Sequence, residues 1–395
     1  MIIHELVASI EPEINAVRKQ IHENPELGLR EYQTSALVER ELREKTHVDR
    51  IEHIGETGLL VELKGTRTGE AHCIALRGDM DALPVSESET HELRSKVDGV
   101  MHACGHDVHT AVLLGAVRVL EHYRDQIAGS VLFFFQPAEE ILKGALLFAE
   151  SSKIDFNKID GVAACHVTPD LNAGQIGVRY GAILGSADEL SITVKGKGGH
   201  GAHPDTVVDP ILIASQILQN LQMLVSRELA ADEAGVVSIC SIHGGAASNI
   251  VPDQVVMKGT VRALDPKIRD HLLRRIPEIC KGVAAAGRGD AEVGLKLGPP
   301  PFISSSDWVD RVKRCGTKVL GEGNVVELPA ASMGAEDFAY VREKAPGVFV
   351  RLGARSEGGP YCGLHSPSFY CDRKALTAGI LTLAGIALDF FGAEY

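Results

Sequence analysis

The sequence predicts an α/β protein of two domains, in which a mixed sheet flanked by helices is interrupted by an inserted β-α-β-β-α-β unit. Three observations carry that expectation. Short apolar runs rich in β-formers alternate with helical ones, the alternation changes character near residue 185, and it resumes after the consecutive prolines Pro299, Pro300 and Pro301. Sheets covered by helices on both faces are built from such continuously apolar strands. A length of 395 residues allows two or three domains at roughly 150 residues each.

Taken in order, Ile10, Ile14, Val17 and Ile21 fall at helical spacing, Asn24-Pro25 breaks the pattern, and a second amphipathic stretch covers residues 32–42. Residues 58–63, 73–76, 131–135 and 162–165 read as buried strands, with helices at 110–122 and 144–151 between them. In sheets of this kind ligands bind beyond the carboxyl ends of the strands. Polar clusters follow those ends here: Asp79 and Asp81, then Glu139 and Glu140, then His166. From about residue 185 the order becomes strand 190–195, helix 210–227, strands 236–242 and 254–264, helix 266–286 and strand 291–297. That is the ferredoxin-like order, and it fits a self-contained unit of about 110 residues. A strand at 348–352 and a final helix at 373–391 return to the first pattern. The expected organisation is therefore a discontinuous domain from 1–184 and 300–395 around an inserted domain at 185–299.

Forty Lys and Arg against 53 Asp and Glu give a net charge of −13. Nucleic-acid affinity comes largely from Lys and Arg neutralising phosphates, so a nucleic-acid partner is not expected. The apolar uncharged stretches 210–226 and 375–388 fall short of the ~18 apolar residues of a membrane span. Glu5 and Glu11 stand where a signal peptide would place Lys or Arg, and the expectation is a cytoplasmic protein without a membrane partner. Eight scattered cysteines with no CxxC do not form a disulfide framework, so a special cysteine is better read as a ligand or nucleophile.

Any lone histidine among the sixteen is ordinarily a surface or satisfied core residue; clustering changes that. In the run Met101 to His109, Cys104 and His106 lie two residues apart across Gly105, and both are good ligands for borderline divalent metals. Asp107 could fix a ring orientation from behind. Glu139 and Glu140 are adjacent carboxylates directly after an apolar strand, an arrangement that is costly unless cations neutralise it. One of the pair can ligate a metal while the other handles a proton. His166 and His365 add two imidazoles after strands or in loops. Gly196 to Gly201 matches GxGxxG, but no helix begins within it and no acidic residue follows about 20 positions on, so a dinucleotide site is not supported. GxxxxGK[ST] is absent, and Ser332 and Ser366 lack a GxSxG elbow.

Seven ordered motifs resemble the metal-dependent aminoacylase and carboxypeptidase superfamily, especially its branch of hippurate hydrolases, auxin-conjugate hydrolases and N-acetyl-diaminopimelate deacetylases. They are His22-Glu23-Asn24-Pro25-Glu26-Leu27-Gly28, Arg77 to Pro84, Met101 to Thr110, Gln136 to Glu140, Gly198 to Pro204, Ala247 to Asp253 and Met333 to Phe338. The resemblance implies a site for two divalent ions, Zn, Mn, Ni or Co, with ligands falling on Cys104, His106, Glu140, His166 and His365. It implies Glu139 as general base, Asp81 as an aspartate behind the ligands, and His200 as the histidine that binds the substrate carbonyl oxygen. Asn249, Arg262 and Gly334 stand where relatives contact the substrate. Asp79 occupies a position where other branches place a histidine ligand and is not counted among the ligands.

The inserted domain resembles the family's lid or dimerisation domain, which implies a possible homodimer. Gly78 replaces the commoner Ala, and Asp205 follows Pro204 where this branch often has His. The activity implied is metal-dependent hydrolysis of the amide bond of small-molecule N-acyl-L-amino acids. The alternatives are a dipeptidase or metallocarboxypeptidase of the same superfamily, or a catalytically inactive metal-binding relative.

Overall fold

The computed structural model describes every residue of the chain except Met1, Thr90 and Glu92. It divides into two compact units. The first comprises Met1–Ile183, Ile303–Ala330 and Asp337–Tyr395, and the second Leu184–Phe302 and Ala331–Glu336. Gly334 thus belongs to the second unit, although it lies beyond the prolines that mark the end of the inserted stretch in the sequence.

The first unit is built on an eight-stranded mixed sheet. Its strand order is Arg50–Ile54, Gly58–Lys64, Gly129–Gln136, His72–Asp79, Gly161–Asn172, Gly347–Arg355, Ile176–Val178, Val325–Glu327. The four central strands, Gly129–Gln136 through Gly347–Arg355 in that order, run parallel. They are almost entirely buried, which explains their unbroken apolar character. Ile3–Glu23, His106–His122, Ser306–Leu320 and Lys374–Phe390 pack on one another as a helical layer. Lys374–Phe390 is apolar all round and buried from Ala375 to Leu388 except at Thr377, as expected of a helix with neighbours on every side.

Several element bounds differ from the sequence expectation in ways that matter for the site. The strand expected at 162–165 runs from Gly161 to Asn172, so His166 sits within it, opposite Arg351, and not beyond its end. The helix expected from residue 110 begins at His106, which places His106, Asp107 and His109 on its first turn. Gly105 makes this early start possible. It is left-handed at φ 78°, and a Cβ there would come within 2.6 Å of the Val167 side chain, so only glycine turns the chain from Cys104 into the helix without strain.

The second unit has a four-stranded antiparallel sheet in the order Gly235–His243, Gln254–Ala263, Asp188–Lys195, Asp290–Lys296. Numbered along the chain this is 2-3-1-4, the ferredoxin-like arrangement. Helices Pro210–Met223 and Pro266–Ala286 close its core, where Ile213, Ile217 and Leu221 meet Leu272, Ile276 and Cys280. Both helices start cleanly: the Asp209 and Asp265 side chains accept from backbone N–H groups of the first turn, with Pro210 and Pro266 at the first helical position. Among the described residues no helix is long and apolar enough to cross a membrane.

Candidate metal centre and active site

The site is assembled at the carboxyl ends of the central strands. His72–Asp79 delivers Asp79 and, just beyond it, Asp81; Gly129–Gln136 leads into Glu139 and Glu140; Gly161–Asn172 presents His166; the turn before His106–His122 carries Cys104. Two overlapping groups of side chains have ligand atoms within 4.8 Å of one another: Cys104, His106 and Glu140, and Asp79, His106, His109 and His166. Cys104 Sγ lies 3.4 Å from His166 Nε2, which links the thiol to the second group. His365 Nε2 lies 3.6 Å from Glu140 Oε1, and His106 Nε2 lies 3.7 Å from the same oxygen. Cys104, His106, Glu140, His166 and His365, more than 250 positions apart at the extremes, therefore converge.

Hydrogen bonding sorts the imidazoles. His166 Nδ1–H donates to the Val167 carbonyl at 2.8 Å, which leaves the Nε2 lone pair facing the thiol. His106 Nδ1 lies 3.2 Å from Asp81 Oδ1, and among the described residues its buried Nε2 has no hydrogen-bond partner. Pinning one ring nitrogen on a carboxylate or carbonyl so that the other stays available is how metal-binding histidines are held. His109 is different. Its Nδ1–H donates to Asp79 Oδ1 at 2.6 Å and its Nε2 accepts the Val167 N–H at 2.8 Å, so both nitrogens are spent. Asp79 is occupied too, by His109 and by Arg77 Nη1 at 2.6 Å. Sequence reasoning left Asp79 out of the ligands and missed His109 altogether; the i, i+3 spacing of His106 and His109 on one helix face was the available signal.

The donor set fits divalent cations on its own evidence. Among the described residues His106 Nε2 and Glu140 Oε1 are buried polar atoms without a hydrogen-bond partner, and such orphans call for an ion or water. Burial pushes the Cys104 thiol and the Glu140 carboxyl up, towards their neutral forms, which a nearby cation would reverse. Burial also opposes charge on Asp79, but Arg77, His106 and His109 outweigh it and hold that carboxyl well below the usual range.

Asp81 organises the loop after the neighbouring strand. Its Oδ1 accepts from the backbone N–H of Glu139 at 3.1 Å and its Oδ2 from that of Glu140 at 3.0 Å. The carboxylate that orients His106 thus also positions both glutamates. Glu139 itself is 6% exposed. Two non-glycine residues flanking the site have positive φ, Ala138 at 54° and His365 at 60°. Strain of this sort, on the order of 1–3 kcal/mol each, persists where the surroundings impose it. Gly78 is explained by crowding: a Cβ there would stand 2.7 Å from the His109 carbonyl oxygen.

Behind the first turn of His106–His122, the Asp107 carboxylate accepts from Arg18 Nε at 2.9 Å and from His22 Nδ1 at 3.0 Å, while His22 Nε2 faces Glu87 at 3.1 Å. Burial works against a charged His22, but Asp107 and Glu87 prevail and raise it from 6.5 to about 9. A raised value stabilises the fold fully below pH 6.5, and the gain disappears as pH rises through 9. At 1.36 kcal/mol per unit this is on the order of 3 kcal/mol. We expect the urea midpoint to fall between pH 6.5 and 9.5 and most of that fall to vanish in His22→Asn; an equal fall in both proteins would remove His22 as its source.

The remaining sequence candidates lie in the second unit. His200 pairs with Ile250 in a two-residue bridge, and the Gly201 N–H donates to the Asn249 carbonyl at 2.9 Å, so His200 and Asn249 are neighbours. Arg262 Nη1 donates to the Met333 carbonyl at 3.0 Å, beside Gly334, whose own carbonyl accepts from the Gly185 N–H at 2.9 Å. His200 and Asn249 are exposed.

A buried thiol, available imidazole nitrogens and paired carboxylates gathered over the central strands of a mixed α/β sheet make the donor set of a metal-dependent amidohydrolase. The chain belongs to peptidase family M20/M25/M40, whose profile matches residues 75–389. It is 36% identical over 376 residues to the N-acetylcysteine deacetylase of Bacillus subtilis, covering 94% of this chain and 95% of that protein. It is 38% identical over 393 residues to thermostable carboxypeptidase 2 of Saccharolobus solfataricus, covering 97% of each. A solved Bacillus subtilis structure, described as a dinuclear metal binding peptidase from the M20 family, is 32% identical with a TM-score of 0.84, covering 98% of this chain and 100% of that one.

Proposed function

We propose that this chain hydrolyses the amide bond of N-acyl-L-amino acids, releasing a carboxylic acid and an amino acid, with two divalent ions held by Cys104, His106, Glu140, His166 and His365. The observation that carries the reading is the convergence of these side chains around the unpartnered His106 Nε2 and Glu140 Oε1. Two such ions lower the pKa of water and polarise an amide carbonyl. Glu139 takes the proton as water attacks the carbonyl carbon and returns it to the departing amine nitrogen. Asp81 keeps Glu139 in place through its backbone N–H and keeps the His106 Nε2 lone pair available through Nδ1. His200 donates to the carbonyl oxygen as negative charge develops there, an interaction that strengthens as water is excluded. Arg262, through the guanidinium nitrogens not used on Met333, and Asn249 hold the substrate carboxylate, and Gly334 offers its backbone to the substrate.

The similarity to an N-acetylcysteine deacetylase supports this reading, and the similarity to a carboxypeptidase favours peptide substrates as the second one. Assaying N-acetyl and N-benzoyl amino acids beside dipeptides and N-blocked dipeptides, with Zn(II), Mn(II) or Co(II) supplied, separates them. We expect kcat/KM to be at least tenfold higher on the N-acyl amino acids. A preference for free dipeptides or longer peptides would transfer the assignment to the peptidase reading, and no turnover with any metal would make the chain a metal-binding relative without catalysis.

A further inference from the structure

The first unit contains a cavity of about 750 Å3 that none of the proposed metal ligands lines. Its walls include Arg18, Lys19, His22, His102, Phe369 and Arg373. The carboxylates among its lining residues are already engaged. Asp107 accepts from Arg18 Nε and His22 Nδ1; Glu87 faces His22 and His91 and accepts the Ser95 N–H at 2.6 Å; Glu23 pairs with Lys96 at 2.6 Å.

The donors are not matched in the same way. Among the described residues Lys19 has no ion-pair partner and Arg18 Nη1 no hydrogen-bond acceptor, while Arg373 spends only Nε and Nη2, on Glu11. Among the described residues His102, 1% exposed, has no hydrogen-bond partner at either ring nitrogen. A cavity with an excess of unspent donors and a buried imidazole unpartnered at its wall is arranged for an anion, and the Phe369 ring adds an apolar surface.

We propose that this cavity is a second binding site, for a small carboxylate with an apolar body. The carboxylate meets Arg18 and Lys19 and the body lies against Phe369, with the buried His102 ring close behind. Asp107 directly follows His106, and His102 stands two residues before Cys104, so the occupant bears on the turn that carries two of the metal ligands. The site goes beyond the hydrolytic reading and stands whether or not that reading does.

The probe is 4-bromobenzoate, soaked into crystals of the metal-loaded full-length protein with bromine located by anomalous scattering. The same compound is titrated in solution against the unchanged protein and Lys19→Glu, with binding read from the His102 imidazole NMR signals. We expect a bromine peak within the cavity and affinity at least tenfold weaker in Lys19→Glu. Bromine confined to the surroundings of Cys104 and Glu140 would overturn the proposal. So would a cavity peak accompanied by unchanged affinity in Lys19→Glu, which would indicate binding at crystal concentration only.

Discussion

Glu139→Gln is expected to retain its metal ions and to lose activity by roughly a hundredfold to ten-thousandfold, the usual contribution of a positioned general acid–base group. The substitution preserves side-chain volume and the backbone N–H that Asp81 Oδ1 accepts at 3.1 Å, so the loop and the adjacent Glu140 stay where they are. An amide cannot take the proton from water, and the loss falls on kcat more than on KM because ground-state binding is untouched. Metal analysis and steady-state kinetics on one preparation check both halves. Full turnover with both ions present would remove Glu139 from the proton path; lost turnover with lost ions would make it a ligand.

Arg77→Met is expected to destabilise the first unit by roughly 3–5 kcal/mol, the range for removing one partner of a buried ion pair. The Arg77 side chain is fully buried. It donates through Nη1 to Asp79 at 2.6 Å and through Nε to Gln136 at 2.9 Å, and its Nη2 lies 3.5 Å from Asp337. Methionine fills similar space, so the cost reports the loss of the guanidinium beside the buried Asp79 and Asp337 carboxylates and not a void. Since Asp79 holds His109 Nδ1, and His109 Nε2 accepts from Val167 beside His166, the damage should reach the metal centre. Urea denaturation of the metal-loaded protein measures the effect. A change within 1 kcal/mol would show that the charge is not needed where it sits.

Much of this arrangement is legible along the chain because the central strands are continuous apolar runs and the chemistry follows their ends. Val131 to Phe135 announces a buried strand, and Glu139 and Glu140, four and five residues later, cannot be part of it. His166 was misplaced because a polar residue after Cys165 resembles a strand terminus, whereas the structure gives it a parallel partner in Arg351 and continues to Asn172. The start at His106 was hidden by Gly105, whose left-handed turn carries no side-chain cap of the kind that marks helix entries. The helix Ser306–Leu320 went unread although Trp308, Val309, Val312, Cys315 and Val319 trace its buried stripe. Strands as short as Ile176–Val178 and Val325–Glu327 give no periodicity to read. The pairing of His22 with Asp107, 85 residues apart, is a tertiary fact that no local pattern contains.

The central claim is that these distant ligand atoms hold a pair of ions. Elemental analysis after exhaustive dialysis, on the unchanged protein, Cys104→Ala and His365→Ala, tests it most directly. Two equivalents per chain are expected in the first and fewer than two in each variant. A single equivalent in the unchanged protein, or two firmly held ions in Cys104→Ala, would contradict it.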